Sequence, residues 1–227
     1  MPDSAQSSEV AAIPAAPAPR ETLQDYVYRK VRELILNGEI RPGQSITMQS
    51  LATAFAVSHM PVREALQRLT AERALAVVAG RSIGIPPLSR DRLEDLRRVR
   101  IEIEGLATAW ATERIGADTL RRLGELQEVL DRAVRAGDVK LYLRANRELH
   151  FAIYAAAGSP TLTAVIESLW LQISPYFNLL HESGNFPTAN RHHGELIRAI
   201  AARDAPAARA ALRADIEAAA ACLRELL

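Results

Sequence analysis

The stretch Leu51-Ala-Thr-Ala-Phe-Ala-Val-Ser-His-Met-Pro-Val-Arg-Glu-Ala-Leu66 reads as the centre of a helix-turn-helix. A short apolar helix carrying Leu51, Ala52 and Phe55 meets a tight turn at Ala56-Val57. Ser58 stands where an N-cap is needed. Pro61 falls in the first turn of the next helix, where a missing N–H costs nothing. Val62, Ala65, Leu66 and Leu69 then recur on one helical face, while His59, Met60, Arg63 and Gln67 lie at the start and on the other sides. A helix packed behind, with a polar and basic N-terminal turn, suits insertion into a DNA major groove.

Working outward, Leu23, Val27, Val31, Leu34 and Ile35 keep helical spacing after Thr22, and Asn37-Gly38 ends that run. Arg41-Pro42-Gly43 makes a turn before helices over Met48–Ala56 and Ser58–Arg73. Leu75–Val78 and Ile83–Ile85, joined through Ala79-Gly80-Arg81-Ser82, read as a two-stranded hairpin. Three helices and a hairpin over residues 21–88 make a winged helix-turn-helix, closed by Pro86-Pro87, which starts a linker. Residues 1–20 have no apolar period and read as a disordered tail.

Residues 89–227 are helical in pattern throughout, with candidate helices at about 89–114, 117–136, 138–157, 161–181, 188–203 and 205–226. Gly116, Gly137-Asp138, Gly158-Ser159-Pro160, Gly184-Asn185-Phe186-Pro187 and Asp204-Ala205-Pro206 separate them. The fold class is therefore mainly α: a winged helix-turn-helix followed by an all-α bundle.

Composition agrees. A length of 227 residues suits two domains, and 48% hydrophobic with 24% charged residues suits a chain that buries a core. The single cysteine, Cys222, excludes an internal disulfide framework and points to a reducing cytoplasm. No apolar run approaches the roughly 20 residues of a membrane span. Residues 20–88 carry nine Lys/Arg against six Asp/Glu, whereas residues 89–227 carry 19 of each, so the positive excess falls on the helix-turn-helix.

The motif Gly38…Pro42-Gly43, Leu51-Ala52, Val57-Ser58, Pro61-Val62-Arg63-Glu64-Ala65-Leu66 and Leu69 resembles, in order and spacing, the GntR family of bacterial transcription regulators. The helical half resembles that family's FCD effector domain through Arg100-Ile-Glu-Ile-Glu104, Asn146-Arg-Glu-Leu-His150-Phe151 and His193-Gly-Glu-Leu-Ile-Arg-Ala-Ile200. The resemblance implies DNA contacts by Gln49, Ser58, His59, Met60 and Arg63, with a wing at Gly80-Arg81-Ser82. Arg63 would read guanine, and Ser58 and Gln49 would hold phosphate. Departures are local: His59 stands where arginine is common, Arg73 and Ser82 where glycines are, and Asp215 where the last helix usually adds a histidine.

For the helical half, the resemblance implies a divalent metal, Zn²⁺, Ni²⁺ or Mn²⁺, at Asn146, His150, His193 and Asp215. Its small carboxylate effector would meet Arg100 and Glu104. Asn146 and His150 are four residues apart and share a helix face, and convergence of several helices is how bundles build metal sites. The same residues would also make a metal-free polar pocket, binding the effector through Arg100, His150 and His193. His181 reads as a loop residue, and Tyr176, Trp170 and Phe151 as pocket wall or core.

An enzyme finds little support: the chain has no Glu-x-x-His pair of the di-iron type, no nucleophile arrangement and no Gly-rich phosphate loop. An architectural DNA-binding protein without an effector leaves the buried Arg and His of the bundle unexplained. The expected whole is a cytoplasmic homodimer on a pseudo-palindromic operator, a repressor released by its effector.

Overall fold

A computed structural model of the chain describes residues 21–79, 82–182 and 186–227. The expected tail, residues 1–20, and the expected wing-tip residues Gly80 and Arg81 lie outside the described residues.

Helix α1 (Leu23–Leu36) starts at Thr22, whose hydroxyl accepts from the Asp25 amide at 3.1 Å. Its Val27, Val31 and Ile35 are fully buried, and it packs on α3 (His59–Ala71), which presents Val62, Ala65, Leu66 and Leu69. Between them α2 (Met48–Phe55) is capped by Thr47, which accepts from Ser50 N at 3.0 Å. The turn into α3 uses Ala56 in the left-handed region at φ 53°. Ser58 occupies the N-cap in extended conformation, yet its side chain makes no capping bond.

The wing is larger than the expected hairpin. Strands β2 (Ala76–Ala79) and β3 (Ser82–Gly84) pair antiparallel, and β1 (Ser45–Ile46) adds to the other edge of β3, giving the order β1-β3-β2. Ser45 faces Gly84, and Ile46 faces Ile83.

The bundle is built around α4 (Arg90–Arg114), capped by Ser89, with α10 (Ala205–Glu225) against it and α9 (Phe186–Ala201) against α10. Helices α5 (Ala117–Ala136) and α6 (Val139–Ala156) pack on each other, and α6 also packs on α4. The expected continuous helix over 161–181 is broken. Helix α7 (Pro160–Ile173) gives way to a 3-10 segment, Ser174–Asn178, and then to the short α8 (Leu179–Glu182). Pro175 is the cause: it has no N–H for the carbonyl of Leu171, and its ring crowds that oxygen. His181 consequently lies on α8 and not on a loop.

That break positions the two halves. Asn178 Nδ2 donates to the carbonyl of Gly38 at 2.7 Å, Ser174 Oγ donates to Ile35 O at 3.5 Å, and the Tyr176 hydroxyl donates to the carbonyl of Pro86. Arg32 of α1 pairs with Glu167 of α7 at 2.8 Å. Among the described residues, no helix is long and apolar enough to cross a membrane.

Candidate functional site

Two sites follow from this frame. On the winged helix, Gln49, Ser58, His59, Met60 and Arg63 are all exposed, and they gather at the start of α3 and on the adjoining α2. His59 donates from Nε2 to Gln49 Oε1 at 2.9 Å, and Gln49 Nε2 donates to Thr53 Oγ1 at 3.3 Å, so the two side chains are held as one unit. Arg63 lies one turn beyond His59 and makes no ion pair among the described residues. Arg68, by contrast, is occupied: its guanidinium lies 3.7 Å from the centre of the Tyr28 ring and pairs with Glu72 at 3.3 Å. Tyr28 donates to the same Glu72 carboxylate at 2.6 Å. Arg68 is therefore bound into the fold, whereas Arg63 is exposed on α3.

In the bundle, α6, α9 and α10 bring His150, His193 and Asp215 together, all buried. His150 Nε2 and His193 Nε2 are 3.3 Å apart; Asp215 lies 3.5 Å from each through Oδ2 and Oδ1 respectively. One ligating atom from each residue falls within a 4.8 Å cluster. Asn146 and Arg100 line the adjoining cavity with His150 and Asp215, and its empty volume is about 420 Å³ including its mouth.

Sequence reasoning missed the residue that orients this cluster. Tyr154 donates to Glu104 Oε2 at 2.5 Å, so its oxygen accepts from His150 Nδ1 at 3.1 Å. With the proton fixed on Nδ1, His150 Nε2 presents a lone pair toward His193 and Asp215. Glu104 is held in turn by Arg100, whose Nε donates to Oε1 at 2.6 Å. Glu104 was expected at the effector beside Arg100; it sits fully buried behind the arginine and does not line the cavity. Tyr154 lies four residues after His150 on the same helix face, a spacing that pointed to it.

Burial dominates the electrostatics. It drives His150 well below the ordinary imidazole value, helped by His193 and Arg100, and lowers His193 to about 3. It pushes the Asp215 carboxyl up to about 7 against the opposing pull of Arg100 and His192. Burial also opposes the charge on Arg100, but the Glu104 carboxylate outweighs it. His193 Nδ1 is buried with no hydrogen-bond partner. Two imidazoles and a carboxyl whose charge burial opposes, with their ligating atoms clustered, form a donor set that fits a divalent cation.

His192 faces elsewhere, toward Glu195 at 3.3 Å, and His181 packs on Phe186. Trp170 lines the cavity and Phe151 stacks against it edge-on, while Tyr176 serves the contact with Pro86.

The family model described as bacterial regulatory proteins, gntR family, matches residues 23–85, and that of the FCD domain matches residues 95–218. The chain belongs to the GntR family. It is a DNA-binding transcriptional regulator with an FCD effector-binding domain. It is 34% identical over 171 residues to the HTH-type transcriptional regulator McbR of Escherichia coli K12, covering 74% of this chain and 77% of that protein. The solved structure of E. coli McbR/YncC superposes with a TM-score of 0.81 at 30% identity, covering 90% of this chain and 98% of the other. The HTH-type transcriptional repressor GlaR of the same organism is 30% identical over 149 residues, covering 63% of this chain and 67% of GlaR.

Proposed function

We propose that this GntR-family regulator is a cytoplasmic homodimeric repressor, released from a pseudo-palindromic operator when a small organic acid enters the bundle beside a divalent ion. The observation that carries this reading is the buried convergence of His150, His193 and Asp215 on a cavity that Arg100 also lines. Burying so many polar groups is costly, and a bundle needing only to pack would fill the space with aliphatic side chains. The similarity to GlaR, named a repressor, supports the sign of the response. A binding role accounts for every residue named.

His150, His193 and Asp215, with Asn146 beside them, would hold Zn²⁺, Ni²⁺ or Mn²⁺, which when bound supplies a Lewis-acidic point for a carboxylate oxygen. Arg100 offers the second point. Its Nε and Nη2 are taken by Glu104, and its Nη1 has no partner among the described residues. Phe177 lines the cavity between Tyr176 and Asn178, both bonded to the winged helix, so a ligand against Phe177 is coupled to the DNA reader. Different affinities of the acid for the two arrangements then change operator affinity.

On the DNA side, Gln49, Ser58, His59 and Met60 position the helix together with the wing at Gly80 and Arg81, and Arg63 reads guanine O6 and N7. The deciding experiment uses the wild-type protein to select an operator from a random duplex pool, then measures binding by fluorescence anisotropy at fixed salt. Arg63→Ala loses about 1–3 kcal/mol of discrimination between that operator and random DNA. Undiminished discrimination in this variant rules out the assignment.

A further inference from the structure

Resting on the effector reading above, we propose that the ligand is a monocarboxylate with an apolar, ring-sized or branched body, and that hydrophilic di- and tricarboxylates are rejected. Charge balance and the cavity wall support this independently.

Arg100 is the one Lys or Arg lining the cavity among the described residues. Glu104 and Asp215 are its buried counter-charges. A divalent ion at the His150, His193 and Asp215 cluster leaves this set with one uncompensated positive charge. A single carboxylate closes the balance to zero. A second carboxylate would bury an unpaired negative charge with no Lys or further Arg among the described lining residues to meet it, and such burial costs several kcal/mol.

The wall favours the same class. Trp170, Phe177, Phe186, Leu180 and Ile216 are its larger apolar members, and the Arg100 guanidinium carbon lies 5.6 Å from the Trp170 ring centre and 5.7 Å from that of Phe177. Most hydroxyls of a sugar acid or hydroxy-polyacid would be stripped of water against these rings, with only Tyr142 and Asn146 among the lining residues as neutral polar side chains beside the ligating cluster. A flat or branched hydrocarbon body gains burial there instead.

The test uses the full chain, stripped with chelator and reloaded with Ni²⁺ or Zn²⁺, with metal binding followed separately by calorimetry. Benzoate, phenylacetate and isovalerate are titrated beside malate, citrate and gluconate. The monocarboxylates bind at least about tenfold more tightly than the hydrophilic acids, a difference near 1.4 kcal/mol. Arg100→Gln loses all acid binding. Because that change unpairs buried Glu104, Ala219→Phe is the second variant: it fills the cavity from α10, keeps the metal isotherm and weakens benzoate by about tenfold or more. Citrate or malate binding as tightly as benzoate overturns the ligand class and leaves the effector site standing. Failure of every acid to bind the metal-loaded protein overturns both.

Discussion

Asn178 donates from Nδ2 to the carbonyl oxygen of Gly38, at 2.7 Å, and so ties the 3-10 segment of the bundle to the end of α1. Gly38 has φ +68°, where an L side chain is strained, and a Cβ there would fall on the Asn178 amide. Asn178→Ala is therefore expected to bind operator normally in the absence of acid and to lose the acid's effect on that binding. An allosteric coupling is ordinarily about 1–3 kcal/mol, and the variant brings it toward zero. Anisotropy titrations with and without the bound acid measure this; a full response in Asn178→Ala would mean the signal travels elsewhere. Gly38→Ala disturbs the same contact from the other side and lowers the melting temperature as well.

Arg73 sits just beyond α3 at φ 60°, a left-handed conformation in which a non-glycine side chain costs about 1–2 kcal/mol. It is exposed, and among the described residues the arginine makes no ion pair to offset that strain. Arg73→Gly relieves the strain but adds freedom to the unfolded chain, so the net expectation is a gain of about 0.5–1 kcal/mol. Ala56, at φ 53° in the helix-turn-helix turn, behaves alike on substitution by glycine. Urea unfolding of the two variants checks both; a loss of stability in each would show that the turns are not strained.

The legibility of the fold varied with the range of the forces involved. Helices α1 to α3 were readable because Val27, Val31, Ile35, Val62, Leu66 and Leu69 repeat at helical spacing, a purely local signal. Strand β1 was not, because two residues carry no period and Ser45–Ile46 pairs with β3 nearly 40 residues away. The run over 161–181 is apolar enough to look continuous, and only the missing amide of Pro175 ends it. In the site, His150, His193 and Asp215 were named from a motif, and the structure brings them together. Tyr154 shares a helix face with His150 and its spacing was readable, whereas Ser174 and Asn178 act through contacts set by tertiary packing, which neither composition nor local spacing encodes.

Asp215 separates the metal reading from a metal-free pocket. Burial raises its carboxyl to about 7, above the ordinary carboxylate value near 4 in the unfolded chain. The folded, metal-free protein thus holds this proton more tightly than the unfolded chain, and the contribution of Asp215 to stability falls as pH rises through that window, reaching its floor above pH 7. Asp215→Asn removes the cost. The chelated variant is expected to melt above the wild type at pH 8, with the difference fading toward pH 4. His193, lowered to about 3, and His150, well below its usual value, act in the opposite sense, because the unfolded chain protonates both below about 6.5; wild type and variant share that contribution, so the difference between them isolates Asp215. Added Ni²⁺ or Zn²⁺ reverses the order at pH 8, because an ion bound only by the folded state stabilises the wild type while the variant has lost its anionic ligand. The wild-type gain from metal shrinks below pH 7 as protons compete for the carboxylate. Melting curves at pH 5 and 8, with chelator and with metal, measure all four states. If the ion stabilises both proteins equally, Asp215 does not hold it; if it stabilises neither, Arg100 and the two histidines serve a metal-free pocket.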